Sequence, residues 1–193
     1  MALTESSMLA LGSPAPNFSL TDGISDNLVQ LSDFDGRPLL VMFICNHCPY
    51  VIHVQPELVR LGEDYAKTDL AIVAIQSNDV ANYPQDSPER MREVAARLGY
   101  RFPYLYDSQQ LVAKAFSAAC TPDFFLFDSD HRLAYRGQLD ATRPKRIESG
   151  VYDSTENQPH GKDLRAAIDA VLSGSRPQDQ QLPSIGCNIK WIQ

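Results

Sequence analysis

The sequence predicts an α/β domain with a mixed sheet flanked by helices, and three features carry that prediction. Two continuous apolar runs, residues 39–44 and 70–75, have the length of strands buried on both faces. Between them, apolar residues from Val51 to Tyr65 recur at the spacing of one helix face. This strand–helix–strand order leaves a crossover long enough for the two strands to pair in parallel.

The bulk properties of the chain describe one acidic domain. It has 193 residues and a formal net charge of -7, with 44% hydrophobic and 21% charged residues, which suits a single folded unit. Nucleic acids and anionic membrane surfaces recruit clusters of Lys and Arg, so the acidic balance argues against both as partners. No apolar run approaches the ~20 residues that span a bilayer.

The N-terminus lacks the pattern of a secretory signal. Residues 1–15 contain no Lys or Arg, and their longest apolar stretch is residues 8–11. Four cysteines in the whole chain are too few for a disulfide scaffold. A close pair of cysteines in a reducing compartment indicates redox or metal chemistry. We therefore expect a cytoplasmic protein.

Further strands and helices follow from local signals along the chain. Residues 17–20 and 28–31 flank a polar loop, which predicts an N-terminal β-hairpin. Ser87 and Pro88 are residues that begin a helix, and Gly99 is a residue that ends one. The other predicted elements are a strand at 104–106, a helix at 111–116 capped by Asp107 or Ser108, a hairpin of 124–127 with 132–136, and a helix at 164–172 stopped by Gly174.

The organisation of the chain is predicted to be one domain with a tail. We assign residues 10–174 to the domain, within which residues 139–160 are polar and expected to be irregular. Residues 175–193 are rich in Pro and Gln and form a C-terminal tail that packs on the domain.

Cys45 and Cys48 lie where the first buried strand gives way to the long helix. Backbone N–H groups in the first turn of a helix are unsatisfied and the helix dipole is positive there, so a thiolate is stabilised and its pKa falls. His47, between the two cysteines, can add positive charge with the same effect. We predict Cys45, His47 and Cys48 as catalytic residues.

The spacing of this pair suits thiol-disulfide exchange. Two intervening residues let the sulfurs close a small ring, so that one attacks a partner disulfide and the other resolves the mixed disulfide. The sequence therefore predicts a thiol-disulfide oxidoreductase, with Cys45 as the first choice of nucleophile and Cys48 as the resolving thiol. The partners of such a reaction are a disulfide-containing protein or small molecule and a thiol electron donor, and we expect no cofactor.

Three segments of the chain match the pattern of a known family: GSPAPNF with the hairpin after it, VMFICNHCPY, and CTPDFFLFD. With these the chain resembles the thioredoxin superfamily, in the redoxin branch of the alkyl hydroperoxide reductase and thiol-specific antioxidant (AhpC/TSA) proteins. CNHCPY together with the terminal SIGCNIKW is similar, more narrowly, to bacterial proteins described as thioredoxin-like. The resemblance covers about residues 10–173 and implies a thioredoxin-like fold with redox activity.

The resemblance also implies a second part of the site. The superfamily's cis proline, here Pro122, faces the CxxC pair, and the backbone of the preceding residue, here Thr121, pairs with an incoming peptide. Both are therefore candidate substrate-binding residues. Cys120 would lie near the pair, as a third thiol or as a small buried apolar residue. Cys187, with Trp191, would either fold over the site as a resolving thiol or anchor the tail.

The chain departs from thioredoxin at several positions. Thioredoxin has a Trp before its CxxC pair, where this chain has Ile44, and a buried Asp on the preceding strand, where residues 39–44 contain no acid. Thioredoxin's helix proline lies eight residues after its first Cys, whereas Pro56 lies eight after Cys48. Judged by the proline, Cys48 corresponds to the first cysteine of thioredoxin, whereas the CxxC pattern assigns that position to Cys45. Which cysteine attacks and which resolves therefore stays open.

A thiol peroxidase with Cys48 as its peroxidatic cysteine is the nearest alternative. Cys48-Pro49 resembles the Cys-Pro of the peroxiredoxins. Those proteins also have a Pro and a Thr ahead of that cysteine, where this chain has Val41 and Cys45, and an Arg from a distant strand, for which Arg136 is the nearest candidate. Because donors that polarise the peroxide O–O bond are missing from this pattern, we do not expect efficient peroxidase activity.

A Cys-ligated metal-binding protein and a scaffold without thiol chemistry are the remaining alternatives. Cys45 and Cys48 with one of Cys120, Cys187 or His53 would suit Zn or Cu(I). The sequence contains no second CxxC pair to complete a zinc knuckle, so we assign no metal ligands.

Other polar groups near the predicted site are expected in solvent. His131 lies in a hairpin turn and His160 in a loop. The polar segment of residues 76–89, with Asn78, Asp79 and Asp86, borders the site but is predicted to be mainly a solvated loop.

Overall fold

A computed structural model describes residues 3–193. Residues 1 and 2, which belong to the N-terminal segment without a signal pattern, lie outside the described residues. The helices are α1 Pro49–Asp64, α2 Pro88–Leu98, α3 Leu111–Ala115 and α4 Lys162–Leu172, with 3-10 turns at Leu31–Phe34 and Pro84–Asp86. The strands are β1 Leu3–Glu5, β2 Ser19–Asp22, β3 Leu28–Gln30, β4 Leu39–Phe43, β5 Ala71–Gln76, β6 Tyr104–Tyr106, β7 Cys120–Thr121, β8 Asp123–Phe127, β9 Leu133–Gly137, β10 Lys145–Glu148, β11 Val151–Asp153 and β12 Ile185–Asn188.

Seven of these strands form the central sheet, in the order β3-β2-β6-β5-β4-β8-β9. β4, β5 and β6 pair in parallel, and the strands at both edges pair antiparallel. The predicted mixed sheet and the parallel pairing of the two apolar runs are therefore confirmed.

β4 is apolar throughout because both of its faces are covered. Leu40 and Met42 pack in a cluster with residues of α1, α2 and α4. Leu39, Val41 and Phe43 point to the other face, where α3 and the segment before β2 cover them. Alternation along a strand sends successive side chains to opposite faces, so a strand between two helical layers has no polar positions.

α1 follows the predicted helix face closely. Val51, Val54, Leu58 and Leu61 are buried, and the helix runs continuously through Pro56. Helix α2 has the predicted ends as well. Ser87 caps it through its side chain, and Gly99 follows it in the left-handed conformation at φ 76°, where a residue without Cβ is favoured.

Three local predictions need correction. In the N-terminal hairpin, β2 lies two residues later than the predicted 17–20, whereas β3 begins at the predicted residue 28 and ends one residue early. Residues 139–160, predicted to be irregular, contain the hairpin β10–β11. The N-cap of α3 is Gln110 and not Asp107. The Asp107 carboxylate nevertheless accepts hydrogen bonds from the backbone N–H groups of Val112 and Ala113.

The C-terminal tail forms a second sheet with the N-terminus. β12 lies between β1 and β7 and is antiparallel to both. Among the described residues, no helix combines the length and apolarity that crossing a membrane requires.

A buried carboxyl group lies at the start of β8. Asp123 is 0% exposed. Its Oδ2 accepts a hydrogen bond from the backbone N–H of Ala119, and its Oδ1 has no partner among residues 3–193. Burial raises the pKa of Asp123 to about 8. The folded protein therefore keeps a proton that the unfolded chain, with a carboxyl pKa near ~3.9, releases.

Replacing Asp123 with Asn is expected to change how stability depends on pH. Between pH about 4 and about 8 the folded wild type binds more protons than the unfolded chain, so its free energy of unfolding falls as pH rises through that window. The variant lacks this loss. The Tm of Asp123→Asn minus that of the wild type should therefore increase across the window and level off above it. The exposed Asp130→Asn serves as the control, and parallel Tm curves for Asp123→Asn and the wild type would contradict the prediction.

Candidate active site

The loop between β4 and α1 brings Cys45 and Cys48 to one end of the sheet. α1 begins at Pro49, and Cys48 is its N-cap. The Cys48 carbonyl oxygen accepts a backbone hydrogen bond from Val51 at 3.0 Å. It is therefore Cys48 that lies at the positive end of the helix dipole. The two cysteines are 1% and 0% exposed.

Thr121 contacts both sulfur atoms. Its peptide bond to Pro122 is cis, as the resemblance implies. The Thr121 carbonyl oxygen lies 3.2 Å from Cys48 Sγ, and the Thr121 hydroxyl lies 3.4 Å from Cys45 Sγ. The structure thus brings the two predicted substrate-binding residues up against the thiol pair.

The hydrogen bonds around Cys48 favour its thiolate. Burial raises the pKa of Cys48, but the thiols of Cys187 and Cys45 and the backbone N–H groups of Val51 and Cys187 donate hydrogen bonds that lower it well below the ordinary value. The Thr121 carbonyl oxygen opposes them, because it stabilises the thiol form. The net direction is a lowered pKa for the Cys48 thiol, which favours its thiolate.

The two neighbouring thiols shift in the opposite direction. Burial raises the pKa of Cys45 well above the ordinary value, and its hydrogen bond to Cys48 and the negative charge of Asp86 add to this. The hydrogen bond from Cys187 to Cys48, together with burial, raises the pKa of Cys187. Of the three cysteines, Cys48 is therefore the one whose thiolate form is favoured.

His47 is paired with an acid that lies far from it in sequence. Its Nδ1 is 2.7 Å from Asp86 Oδ2, and its ring stacks on Tyr83 with 5.5 Å between centroids. Asp86 is 0% exposed. It also accepts hydrogen bonds from the backbone N–H of Asn46 and from Asn78 Nδ2, both at 2.8 Å. Asp86 thus holds the imidazole and the loop between the two cysteines in place.

The expectation of a solvated loop at residues 76–89 is wrong for its polar core. Asn78, Asp79 and Asp86 are all buried, and Gln76 Nε2 donates to the Asp86 carbonyl oxygen at 2.8 Å. Asn78 donates to Asp86, and the Asp79 carboxylate accepts from the Ala81 backbone N–H and from Asn82 Nδ2, so burial does not leave these groups without partners. One signal in the sequence could have located them. The segment follows β5, and the carboxyl ends of parallel strands meet at the same edge as the cysteine pair.

The structure also groups donor atoms that could hold a metal ion. One donor atom each from Cys45, His47 and Asp86 lies within 4.8 Å of the other two. This set differs from the sets weighed from the sequence. His53 is excluded from the site because its Nε2 lies 3.0 Å from the Thr142 hydroxyl. His47 and Asp86 of this set are joined by a hydrogen bond in the structure.

Two further candidates form hydrogen bonds with groups other than the CxxC sulfurs. Cys120 Sγ lies 3.5 Å from the Pro122 carbonyl oxygen, and burial and the charge of Asp123 raise its pKa. Arg136 donates to the Leu9 carbonyl oxygen and to the Gln181 side chain, both at 2.7 Å. A thiol peroxidase would need that arginine at the peroxide, so its position does not support the peroxidase alternative.

The histidines expected in solvent behave differently from each other. His160 is exposed, whereas His131 is half-buried with its Nε2 3.2 Å from the Phe34 carbonyl oxygen. Neither takes part in a hydrogen bond with the cysteines among the described residues.

Comparisons with solved structures agree with this architecture. A crystal structure described as an uncharacterized conserved protein from Geobacillus kaustophilus is 51% identical with a TM-score of 0.91, over 100% of this chain and 97% of that one. The solution structure of a putative thioredoxin from Neisseria meningitidis is 22% identical with a TM-score of 0.62, over 83% of this chain and 91% of that one. The second likeness shows that the fold is thioredoxin-like.

Comparisons of sequence lead to a family. The thiol-disulfide oxidoreductase ResA of Geobacillus kaustophilus (strain HTA426) is 31% identical over 127 residues, which are 66% of this chain and 68% of that protein. The model of the AhpC/TSA family matches residues 11–136, which include the cysteine pair, Thr121 and Pro122. With a thioredoxin-like fold and a match over more than half of its length, the chain belongs to the AhpC/TSA family.

Proposed function

We propose that this thiol-disulfide oxidoreductase attacks substrate disulfides with Cys48 and resolves the mixed disulfide with Cys45. The observation that supports this order is the set of hydrogen-bond donors around Cys48 Sγ, which favours its thiolate. A thiolate is the nucleophile in thiol-disulfide exchange. The order reverses the one preferred from the CxxC pattern. It agrees with the position of Pro56, eight residues after Cys48.

The first half of the reaction uses the helix end and Thr121. The Cys48 thiolate attacks one sulfur of the substrate disulfide, a new disulfide forms between Cys48 and that half of the substrate, and the other half leaves as a thiolate. The cis peptide at Pro122 presents the Thr121 carbonyl oxygen 3.2 Å from Cys48 Sγ. A backbone acceptor in that position can also position the peptide that carries the substrate disulfide.

The second half needs a proton acceptor for Cys45, which residues 39–44 do not offer. The His47–Asp86 pair has donor atoms within 4.8 Å of Cys45 Sγ, and it takes up the Cys45 proton as that sulfur attacks Cys48. The Cys45–Cys48 disulfide forms, the bond between Cys48 and the retained half of the substrate breaks, and that half leaves as a thiolate, which takes a proton from water. An external thiol donor then returns the pair to the reduced state.

The reaction class also limits the partners. The substrates are disulfides in proteins or small molecules, the reductant is a thiol, and the chemistry itself requires no cofactor. We retain a cytoplasmic location as part of the proposal, because a reducing compartment keeps a close cysteine pair available as thiols.

Serine variants should separate the two roles. Cys48→Ser is expected to abolish disulfide reductase turnover, because the attacking sulfur is lost. Cys45→Ser should still attack the substrate through Cys48 and form the mixed disulfide, but it cannot form the Cys45–Cys48 disulfide. Turnover is measured with a chromogenic aromatic disulfide under excess thiol, and mixed disulfides by intact mass. Cys120→Ala is the matched control, with wild-type turnover expected. A Cys48→Ser variant that turns over like the wild type would overturn the mechanism.

The thiolate at Cys48 should be visible by ultraviolet absorbance. Thiolates absorb near ~240 nm, and an ordinary cysteine ionises only near pH ~8.5. The reduced wild type is therefore expected to retain one thiolate's absorbance as the pH falls to about 6, because the pKa of Cys48 is lowered. Cys48→Ser should remove this component and Cys45→Ser should leave it in place at a somewhat higher pKa. A wild type without thiolate absorbance at pH 6 would contradict the assignment.

A further inference from the structure

The tail strand β12 brings a third thiol to the attacking sulfur. Cys187 lies opposite Thr121 in the antiparallel pairing of β12 with β7. Both its side chain and its backbone N–H are hydrogen-bonded to Cys48. Cys187 is 4% exposed. A residue about 140 positions away in sequence is thus placed against the same sulfur atom as Cys45.

Gly186 allows the strand to come this close. A Cβ atom at that position would lie 2.0 Å from the Thr121 carbonyl oxygen and 2.7 Å from its carbonyl carbon. Such distances do not occur between real Cβ atoms and backbone, so any side chain would push β12 away from β7. An isolated glycine in a strand commonly marks such a close backbone approach.

The residues after Cys187 hold the tail against the site. The Lys190 backbone N–H donates to Asn78 Oδ1 at 2.8 Å. The Lys190 carbonyl oxygen accepts hydrogen bonds from the Asp79 backbone N–H at 2.9 Å and from Gln110 Nε2 at 2.7 Å. These contacts tie the tail to the same buried loop that carries Asp86. The close approach at Gly186 and the hydrogen bonds at Lys190 therefore fix the position of Cys187, which lies between them in sequence.

We propose that Cys187 is a second resolving thiol, so that oxidised protein contains a Cys48–Cys187 disulfide in addition to Cys45–Cys48. The inference rests on the proposed function, because it requires Cys48 to have attacked a substrate disulfide R–S–S–R′. That attack forms Cys48–S–S–R and releases R′–S⁻, which takes a proton from water. The Cys187 sulfur then attacks Cys48 Sγ, the bond to R breaks, and R leaves as a thiol with the Cys187 proton. Two thiols of the protein are oxidised and one substrate disulfide is reduced to two thiols.

The burial of Cys48 indicates at which step of the reaction the tail acts. Cys48 is 0% exposed with β12 on β7, and the proposed series of steps begins with displacement of this strand to admit the substrate. Return of β12 delivers Cys187 to the mixed disulfide and fills the space that the substrate occupied. Resolution by Cys187 therefore couples release of the substrate to closure of the site, which resolution by Cys45 does not require.

The test is a single turnover followed by disulfide mapping. Reduced protein is mixed under nitrogen with one equivalent of bis(2-hydroxyethyl) disulfide, quenched with acid, alkylated, digested without reductant and examined by mass spectrometry. Cys45 and Cys48 are too close in sequence for tryptic cleavage between them, so their disulfide stays within one fragment. A Cys187 disulfide joins two fragments. The joined pair is expected in the wild type, and it should become the main product in Cys45→Ser, which identifies Cys48 as the partner.

Two outcomes separate this inference from the proposed function. If the wild type forms only Cys45–Cys48 and Cys45→Ser accumulates a stable mixed disulfide, Cys187 is not a resolving thiol and the proposed function stands. If no disulfide or mixed disulfide involving Cys48 forms, the proposed function fails as well.

Variants of the tail give the specific control. Gly186→Ala should shift the products from the joined fragments towards Cys45–Cys48, because β12 is displaced while every thiol remains. The emission of Trp191, the one tryptophan of the chain, reports whether the tail has moved. Cys187→Ser, which changes one atom, keeps the test decisive if Gly186→Ala does not fold. It should leave only Cys45–Cys48, and Cys120→Ala should give the wild-type products. Unchanged products in Gly186→Ala with altered Trp191 emission would count against delivery by the tail.

Discussion

The buried contact of Cys48 with the thiols of Cys45 and Cys187 is the interaction on which the site depends. A thiolate at Cys48 is costly to bury unless donors surround it. Those donors come from three places in the chain: the first turn of α1, the CxxC loop and the tail strand β12. The same arrangement raises the pKa values of Cys45 and Cys187. One set of hydrogen bonds therefore both activates a sulfur and keeps its neighbours protonated.

The sheet supplies the frame for this contact. β4 is covered on both faces and paired on both edges, which gives its carboxyl end a fixed position. Parallel β5 ends at the same edge, so the loop that follows it meets the CxxC loop. Asp86 from that loop reaches His47 and the backbone of Asn46. A buried acid that thioredoxin carries on the strand before its cysteines is thus replaced here by an acid from a neighbouring connection.

The C-terminal tail forms part of the site. β12 completes a small sheet between the N-terminal strand and the strand that precedes the cis peptide. Ser184, just ahead of it, donates to the Pro122 carbonyl oxygen at 2.6 Å. The displacement of β12 that we propose would break this ladder of backbone hydrogen bonds, each of which contributes modestly to stability and all of which would be lost together. That cooperativity suits a cover that is either seated or released.

The sequence by itself determined the elements whose signals are local. The apolar runs predict β4 and β5, the helix period predicts α1, and Ser87 with Gly99 predicts the ends of α2, because each signal lies within one element. Tertiary structure decided the rest. The pairing of His47 with Asp86, the hydrogen-bond partners of Cys120 and Arg136, and the placement of Cys187 on Cys48 depend on which strands are neighbours. The order of attack at the CxxC pair was open for the same reason, because pKa values follow burial and the donors that the fold brings to each sulfur.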